Sequence, residues 1–217
     1  MPTIRDLERD LYPCVERWLK RDYPWTRPNV GTTYGLIDVL GVRRVGGLFS
    51  GEYELSSVEV KLNRRQFARK CGQALGYRVY ANRVYLAVKS DGQQPLFETT
   101  EIAIASCIGV GLIAIVEGRC EEVLTSPRYE PMTKLKAQLL SLSMGLRLCQ
   151  ICGSLFNDVK RYAIKGSGKR WRRAFEKAAS ERVAIRFYVG DPKDDQRRFL
   201  CPTCVSLLWL LAPESNR

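Results

Sequence analysis

Apolar residues at Ile4, Leu7, Leu11, Val15, Trp18 and Leu19 recur every three or four positions. That period lays them on one face and predicts an amphipathic helix over residues 3–20. The next stretch, "DYPWTRPNVGT", carries Pro24, Pro28 and Gly31 and predicts a turn that ends it. Strands are predicted over 34–45 and 55–62 around a glycine-rich turn, paired as a hairpin. Helical spacing returns over 64–81, a compact apolar strand follows at 83–88, a helix at 98–109, and a last strand at 110–116. This order predicts an α/β fold, a mixed sheet flanked by helices. "SPRYEP" at 126–131 marks a boundary, "MTKLKAQLLSLSMGL" predicts a connecting helix, and the remainder forms a small unit bracketed by two cysteine pairs. The expected domains are therefore 1–125, a connector over 126–146, and 147–217.

Within the second strand, side chains alternate faces, so Val58, Val60 and Leu62 point one way while Glu59 and Lys61 point the other. Burying an acid and a base is costly unless they pair or meet a metal ion. Asp38 sits likewise among apolar neighbours in "GLIDVL", on the neighbouring predicted strand. Two strand-borne carboxylates that converge suit an oxygen-preferring cation such as Mg²⁺ or Mn²⁺. Gln73 and Tyr77 are four apart on the following helix and share one of its faces. Glu8 falls at the edge of the first helix's apolar stripe, whereas Glu16 lies farther toward solvent.

In order and element type these residues resemble the PD-(D/E)XK, or restriction-endonuclease-like, nucleases. "GLID" supplies Gly35 and Asp38, "EVK" supplies Glu59 and Lys61, "QALGY" supplies Gln73 and Tyr77, and Glu8 is the match on the first helix. The family's proline is replaced by Ile37. The resemblance covers about the first half of the chain and implies a metal-dependent deoxyribonuclease. It implies that Asp38, Glu59 and the Val60 carbonyl hold Mg²⁺ or Mn²⁺, and that Lys61 positions water or stabilises phosphate charge. Gln73 would orient Lys61 or the water, and Glu8 completes the catalytic set. Tyr77 reads equally as a phosphate contact or a packing aromatic. A surface ion pair on an edge strand is the plain alternative for Glu59 and Lys61.

"CQICG" and "CPTC" place Cys149 with Cys152 and Cys201 with Cys204, two knuckles whose four thiolates match a closed, structural Zn²⁺ site. With "RVAIRFYVG" and "RRFL" as a hairpin and "VSLLWLLA" as a short helix, the unit resembles a treble-clef zinc finger. A redox Cys-x-x-Cys pair and an iron–sulfur cluster are the alternatives. Cys14, Cys71, Cys107 and Cys120 read as buried small apolar residues. Between the knuckles, "KRYAIKGSGKRWRRAF" gathers Lys165, Lys169, Arg170, Arg172 and Arg173 without an acid. That run is either a nucleic-acid contact or a solvated face, and Trp171 and Phe175, four apart, are expected to pack its helix down.

Composition narrows the chemistry further. Lys plus Arg number 35 against 23 Asp plus Glu, a net charge of +12, which favours polyanionic partners. Histidine is absent, which excludes His-based nucleases, Ser-His-Asp and Cys-His hydrolases, and imidazole-bound zinc. The longest apolar run, Ile102 to Val116, is too short to cross a bilayer, and the charged N-terminal stretch has no signal-like segment. A cytoplasmic protein with no membrane partner is expected. The leading expectation is a nuclease acting on DNA rather than RNA. The alternative is an inactive nuclease-fold protein that binds nucleic acid or assembles, with the apolar tail "SLLWLLA" as a homodimer contact.

Overall fold

The computed structural model describes residues 7–46, 51–157, 161–164, 169–188 and 197–211. The chain divides into two compact units. The first joins the chain up to Arg43 with Tyr53–Leu139, and the second joins Arg44–Glu52 with the chain from Leu140 onward.

The first unit is a six-stranded mixed sheet with helices. Its strands are β1 (Trp25–Thr32), β2 (Gly35–Arg44), β3 (Tyr53–Lys61), β4 (Arg83–Ser90), β5 (Gly111–Val116) and β6 (Arg119–Leu124), and they lie side by side in chain order. β1 runs antiparallel to β2, β3 to β5 are parallel, and β6 turns back antiparallel on β5. The parallel steps use α2 (Phe67–Gly76) and α3 (Thr99–Ile108) as crossovers, as parallel pairing requires.

The predicted first helix begins instead as a 3₁₀ turn, Glu8–Leu11, which passes into α1, Tyr12–Leu19, with Pro13 in its first turn, where a missing N–H costs nothing. Val15 and Leu19 pack on a layer containing Val39, Val58, Val60, Ala87, Ile113 and Ile115. Gly41 permits the close approach, since a Cβ there would sit 2.8 Å from Leu19 and Tyr23. α2 packs on β3 and β4, α3 packs on β5 and α2, and Phe67 meets Phe97 edge-on.

Two strands depart from expectation. The segment expected as a turn is β1, an edge strand that accommodates Pro28 and the left-handed Asn29. The chain after 116 adds β6, whose Glu121 and Glu122 are exposed at the opposite edge.

In the second unit, β7 (Leu146–Leu148) and β8 (Leu155–Asn157) form a hairpin around the first cysteine knuckle. β9 (Arg161–Ile164), α5 (Lys169–Ser180), β10 (Ala184–Tyr188) and β11 (Arg197–Leu200) build a three-stranded sheet with β10 central. β10 and β11 are antiparallel, the expected hairpin, whereas β9 joins parallel to β10. α6 (Pro202–Leu211) buries Cys204 and Val205, while Leu207, Leu210 and Leu211 are more than half exposed. The expected connecting helix is α4 (Thr133–Gln138), continued by a wider turn over Leu139–Ser143. Among the described residues no helix is long and apolar enough to cross a membrane.

Glu54, near the start of β3, is buried at 2% exposure. Its Oε1 accepts from Tyr23 Oη at 2.7 Å, Arg43 at 2.8 Å and Arg83 Nε at 3.2 Å, and Arg128 Nε lies 3.7 Å from Oε2. Burial alone would raise its pKa, but the Tyr23 hydroxyl and the two nearer guanidinium groups hold it below the ordinary range. The stabilisation is therefore full above about pH 5 and is lost as the pH falls through the depressed value. Replacing Glu54 by Ala should cost about 3–5 kcal/mol, because it leaves guanidinium groups partly buried and unpaired. Urea unfolding followed by the first unit's tryptophan signal measures this, and a cost below about 1 kcal/mol would mean the arginines reach water instead.

Candidate functional site

The opposite end of β3 carries a second buried glutamate with a different set of neighbours. Glu59 is 1% exposed, yet Lys61 is only partly covered. Lys61 Nζ lies 2.6 Å from Glu59 Oε1, at an angle that gives an ion pair without a well-directed hydrogen bond. The same ammonium is 3.3 Å from Glu8 Oε2, contributed by the 3₁₀ turn. Asp38 on β2 is buried, accepting from Tyr12 Oη at 2.6 Å through Oδ1 and from the Val60 backbone N–H at 2.8 Å through Oδ2.

Glu8, Asp38, Glu59, Lys61 and Tyr77 thus form one cluster. Gln73 is exposed on α2 and, among the described residues, makes no hydrogen bond to Lys61 or Glu59. It lines a cavity of about 340 Å³ beside Tyr77, together with Thr32, Tyr34, Leu36 and Val79. Tyr34, 81% exposed, stands at its mouth.

Tyr77 is neither a packing aromatic nor free for phosphate. Its hydroxyl lies 2.5 Å from Glu59 Oε2 and 2.7 Å from the Leu36 carbonyl. One hydroxyl hydrogen stands between two acceptors, so it serves one of them at a time. Burial pushes the Glu59 carboxyl up, with the Asp38 charge adding to it, against the opposing pull of Lys61 and Tyr77. Burial alone would lower Lys61, but its close contact with Glu59 and the charges of Glu59 and Glu8 raise it, so it stays an ammonium. The Tyr12 phenol is pushed up by burial, then by Asp38, and also by the charges of Glu8 and Glu59.

Tyr12 escaped the sequence reading although it bore a signal. It follows Glu8 by four residues, as Tyr77 follows Gln73, so each tyrosine shares a helical face with a polar residue of the motif. A basic rim also went unread. Directly after Lys61, Arg65 and Arg69 are exposed, and Lys70 donates to the Asn63 carbonyl at 2.7 Å.

In the second unit the four predicted zinc ligands come together. The sulfurs of Cys149, Cys152, Cys201 and Cys204 all lie within 4.8 Å of one another, and Cys152 Sγ is 3.7 Å from Cys201 Sγ. Zinc–sulfur bonds of about 2.3 Å in a tetrahedron put sulfurs about 3.8 Å apart, so the cluster is positioned to hold a metal ion and is compatible with structural zinc. Backbone N–H groups of Cys201 and Cys204 point at the sulfurs of Cys149 and Cys201, at 3.4 and 3.5 Å, which steadies thiolate charge. Gly153 takes a left-handed φ of 66° to close the first knuckle, donating to the Cys149 carbonyl at 3.0 Å.

The basic run is in part helical. Arg172 and Arg173 are exposed on α5, while Phe175 and Ala178 pack into the second unit's core. Lys169 and Arg170 begin that helix, and Lys165 lies outside the described residues. The single cysteines divide: Cys14 and Cys71 are buried as expected, but Cys107 is exposed and Cys120 half-buried.

No family model matches the chain, and no curated protein does. A solved structure of a protein of unknown function from Silicibacter pomeroyi aligns with 64% of this chain and 86% of its own, at 17% identity and a TM-score of 0.44. A likeness so distant carries no argument about activity.

Chelation should unfold the second unit while leaving the first intact. The purified full chain is expected to contain a single tightly held zinc, and Cys201→Ser to lose it. Protection of β10 and α6 from hydrogen exchange should then collapse, by an amount on the order of 10 kcal/mol. Unchanged protection after metal loss would show that the unit's own core suffices.

Proposed function

We propose that this protein is a metal-dependent nuclease of the PD-(D/E)XK type that hydrolyses DNA phosphodiester bonds. A zinc-stabilised basic second unit would contribute to holding the substrate. The observation that carries the reading is the charge balance of the cluster: Glu8 and Glu59 pair with the one ammonium of Lys61, and Asp38 adds a third carboxylate whose charge reaches Glu59. A surplus of two negative charges on hard oxygen donors fits a divalent cation of the Mg²⁺ or Mn²⁺ kind.

Asp38 and Glu59, with the Val60 carbonyl, would be its ligands. When bound, such an ion supplies Lewis-acid polarisation of the scissile phosphate and a lowered pKa for water. Lys61, kept charged by two carboxylates, would stabilise the negative charge that builds on the phosphate oxygens. Tyr12 orients Asp38 and Tyr77 orients Glu59 through their hydroxyls. The cavity between Tyr34 and Tyr77 offers room for a nucleotide next to the scissile position. Exposed Arg172 and Arg173 offer charge for backbone phosphates, consistent with the net charge of +12.

Nicking of supercoiled plasmid in Mg²⁺ or Mn²⁺ tests the proposal. Glu59→Ala and Lys61→Ala should each slow cutting by at least about 100-fold while DNA binding persists. Equal rates for all three proteins would falsify the assignment, and a native chain that binds without cutting would be an inert binding module.

The second unit's role is tested separately by titrating DNA binding over a range of salt. Arg172→Ala with Arg173→Ala should lower the slope of log affinity against log salt by roughly 0.9 for each phosphate that the two arginines no longer neutralise. An unchanged slope would leave that helix as a solvated face.

A further inference from the structure

Cys14 and Cys120 are 106 residues apart in the chain, yet the Cys120 thiol points at Cys14 Sγ from 3.9 Å. Cys14 lies on the side of α1 that faces the sheet, and Cys120 on the edge strand β6, with which α1 packs. Both are free thiols: Cys14 is buried, and Cys120, only half-buried, is the one an oxidant meets from solvent.

Cys14 Sγ donates to the Leu11 carbonyl at 2.9 Å, which holds its proton, while the second thiol and nearby positive charge pull the other way. The hydrogen bond from Cys120 lowers the Cys14 thiol to about 7 against the opposing effect of burial, and the Arg17 charge adds to the lowering. Arg17 and Arg21 both act on Cys120 as well, although the neighbouring Cys14 and burial hold that thiol up. The half-buried Cys120 is thus the thiol that meets an external oxidant, and Cys14, beside it, is the resolving thiol. The remaining cysteines lack this arrangement. Burial pushes the Cys71 thiol up to about 11, Cys107 is exposed with no sulfur neighbour among the described residues, and the other four share the metal cluster.

We propose that Cys14 and Cys120 are a reversible redox pair that closes into a disulfide when the protein meets a low-molecular-weight disulfide such as oxidised glutathione. Cys120 loses its proton and attacks one sulfur of the oxidant, forming a mixed disulfide and expelling one glutathione thiolate, which takes up a proton. Cys14 then loses its proton and attacks the Cys120 sulfur, expelling the second glutathione, which is protonated in turn. Two protein thiols are oxidised and one glutathione disulfide is reduced to two thiols, so electrons and protons balance.

The sulfurs need to close by about 2 Å to reach bonding distance, a movement on the scale of side-chain rotation. The bond would pin α1 to the sheet edge. The same helix carries Tyr12, which holds Asp38, and follows the turn carrying Glu8, which faces Lys61. Oxidation therefore fixes the element that positions two members of the acidic cluster, whatever chemistry that cluster performs.

The test uses the full zinc-loaded chain, equilibrated in glutathione buffers of stepped oxidising strength, acid-quenched, alkylated and digested without reductant. A linked pair of peptides containing Cys14 and Cys120, lighter by two hydrogens, should appear before zinc is released. The thermal midpoint of the oxidised chain should be higher by roughly 5–10 °C and should return on reduction. Cys14→Ser and Cys120→Ser should each abolish the linkage and the shift. A stable glutathione adduct on Cys120 without linkage, or oxidation confined to the metal-cluster cysteines, would overturn the proposal. The peptide masses from the unaltered chain decide the matter even if a serine variant fails to fold.

Discussion

The central constraint on the first unit is that Glu59 is buried with a single paired cation, Lys61, which it shares with Glu8, while the charge of Asp38 opposes its own. Glu59 is taken almost wholly out of water, a step that costs several kcal/mol unless the charge is matched. The matching is incomplete, and the comparison with Glu54 on the same strand makes this plain. At Glu54 three arginines and a tyrosine surround a single carboxylate, which gives a fully served structural anchor. At Glu59 the ratio is inverted, with Glu8 and Asp38 adding charge that Lys61 alone does not offset. A fold selected only for stability has little reason to build the second arrangement. The proposed uptake of a divalent cation would give it one.

Much of the surrounding architecture serves that cluster. Gly41 lets α1 approach the sheet, which brings Tyr12 to Asp38 and the preceding turn to Lys61. The end of α2 delivers Tyr77 to Glu59 and anchors it on the Leu36 carbonyl. Two phenols from opposite ends of the motif each hold one acid in place, which leaves Lys61 free to face both Glu59 and Glu8. The second unit solves a different problem. Its core is small and includes the ligand cysteines themselves, so its folding free energy depends on what the thiolates bind.

The interior strands were legible in the sequence because apolar residues dominate them, and Glu59 and Lys61 stood out against that background. The two edges of the sheet were not. β1 carries Pro28 and Asn29, and β6 carries Glu121 and Glu122, residues that protect an exposed edge and at the same time erase the apolar signal of a strand. The cysteine knuckles were legible from spacing alone, since a two-residue gap constrains both thiolates locally. The parallel strand β9 was not, because its register with β10 is set across the whole of α5. Likewise the contacts Tyr12 to Asp38 and Cys14 to Cys120 join residues far apart in the chain, and nothing in local periodicity records them.

An acidic cluster repels the polyanion it is proposed to cut, so attraction has to come from elsewhere. The chain directly after Lys61 offers a source. Arg65 and Arg69 are exposed there, and Arg64 is paired with Glu101 at 3.1 Å. Lys70 is tied to Asn63, and its pKa is lowered first by burial and then by the charge of Lys61, which places it within reach of the same field. Positive charge therefore begins where the acids end, within a short stretch of chain. Such a border would draw phosphates to the rim while leaving the carboxylates available for the proposed cation, which in turn would cancel the repulsion that otherwise keeps a phosphate out. Substrate and metal would on this account favour each other's binding, each lowering the electrostatic cost of the other.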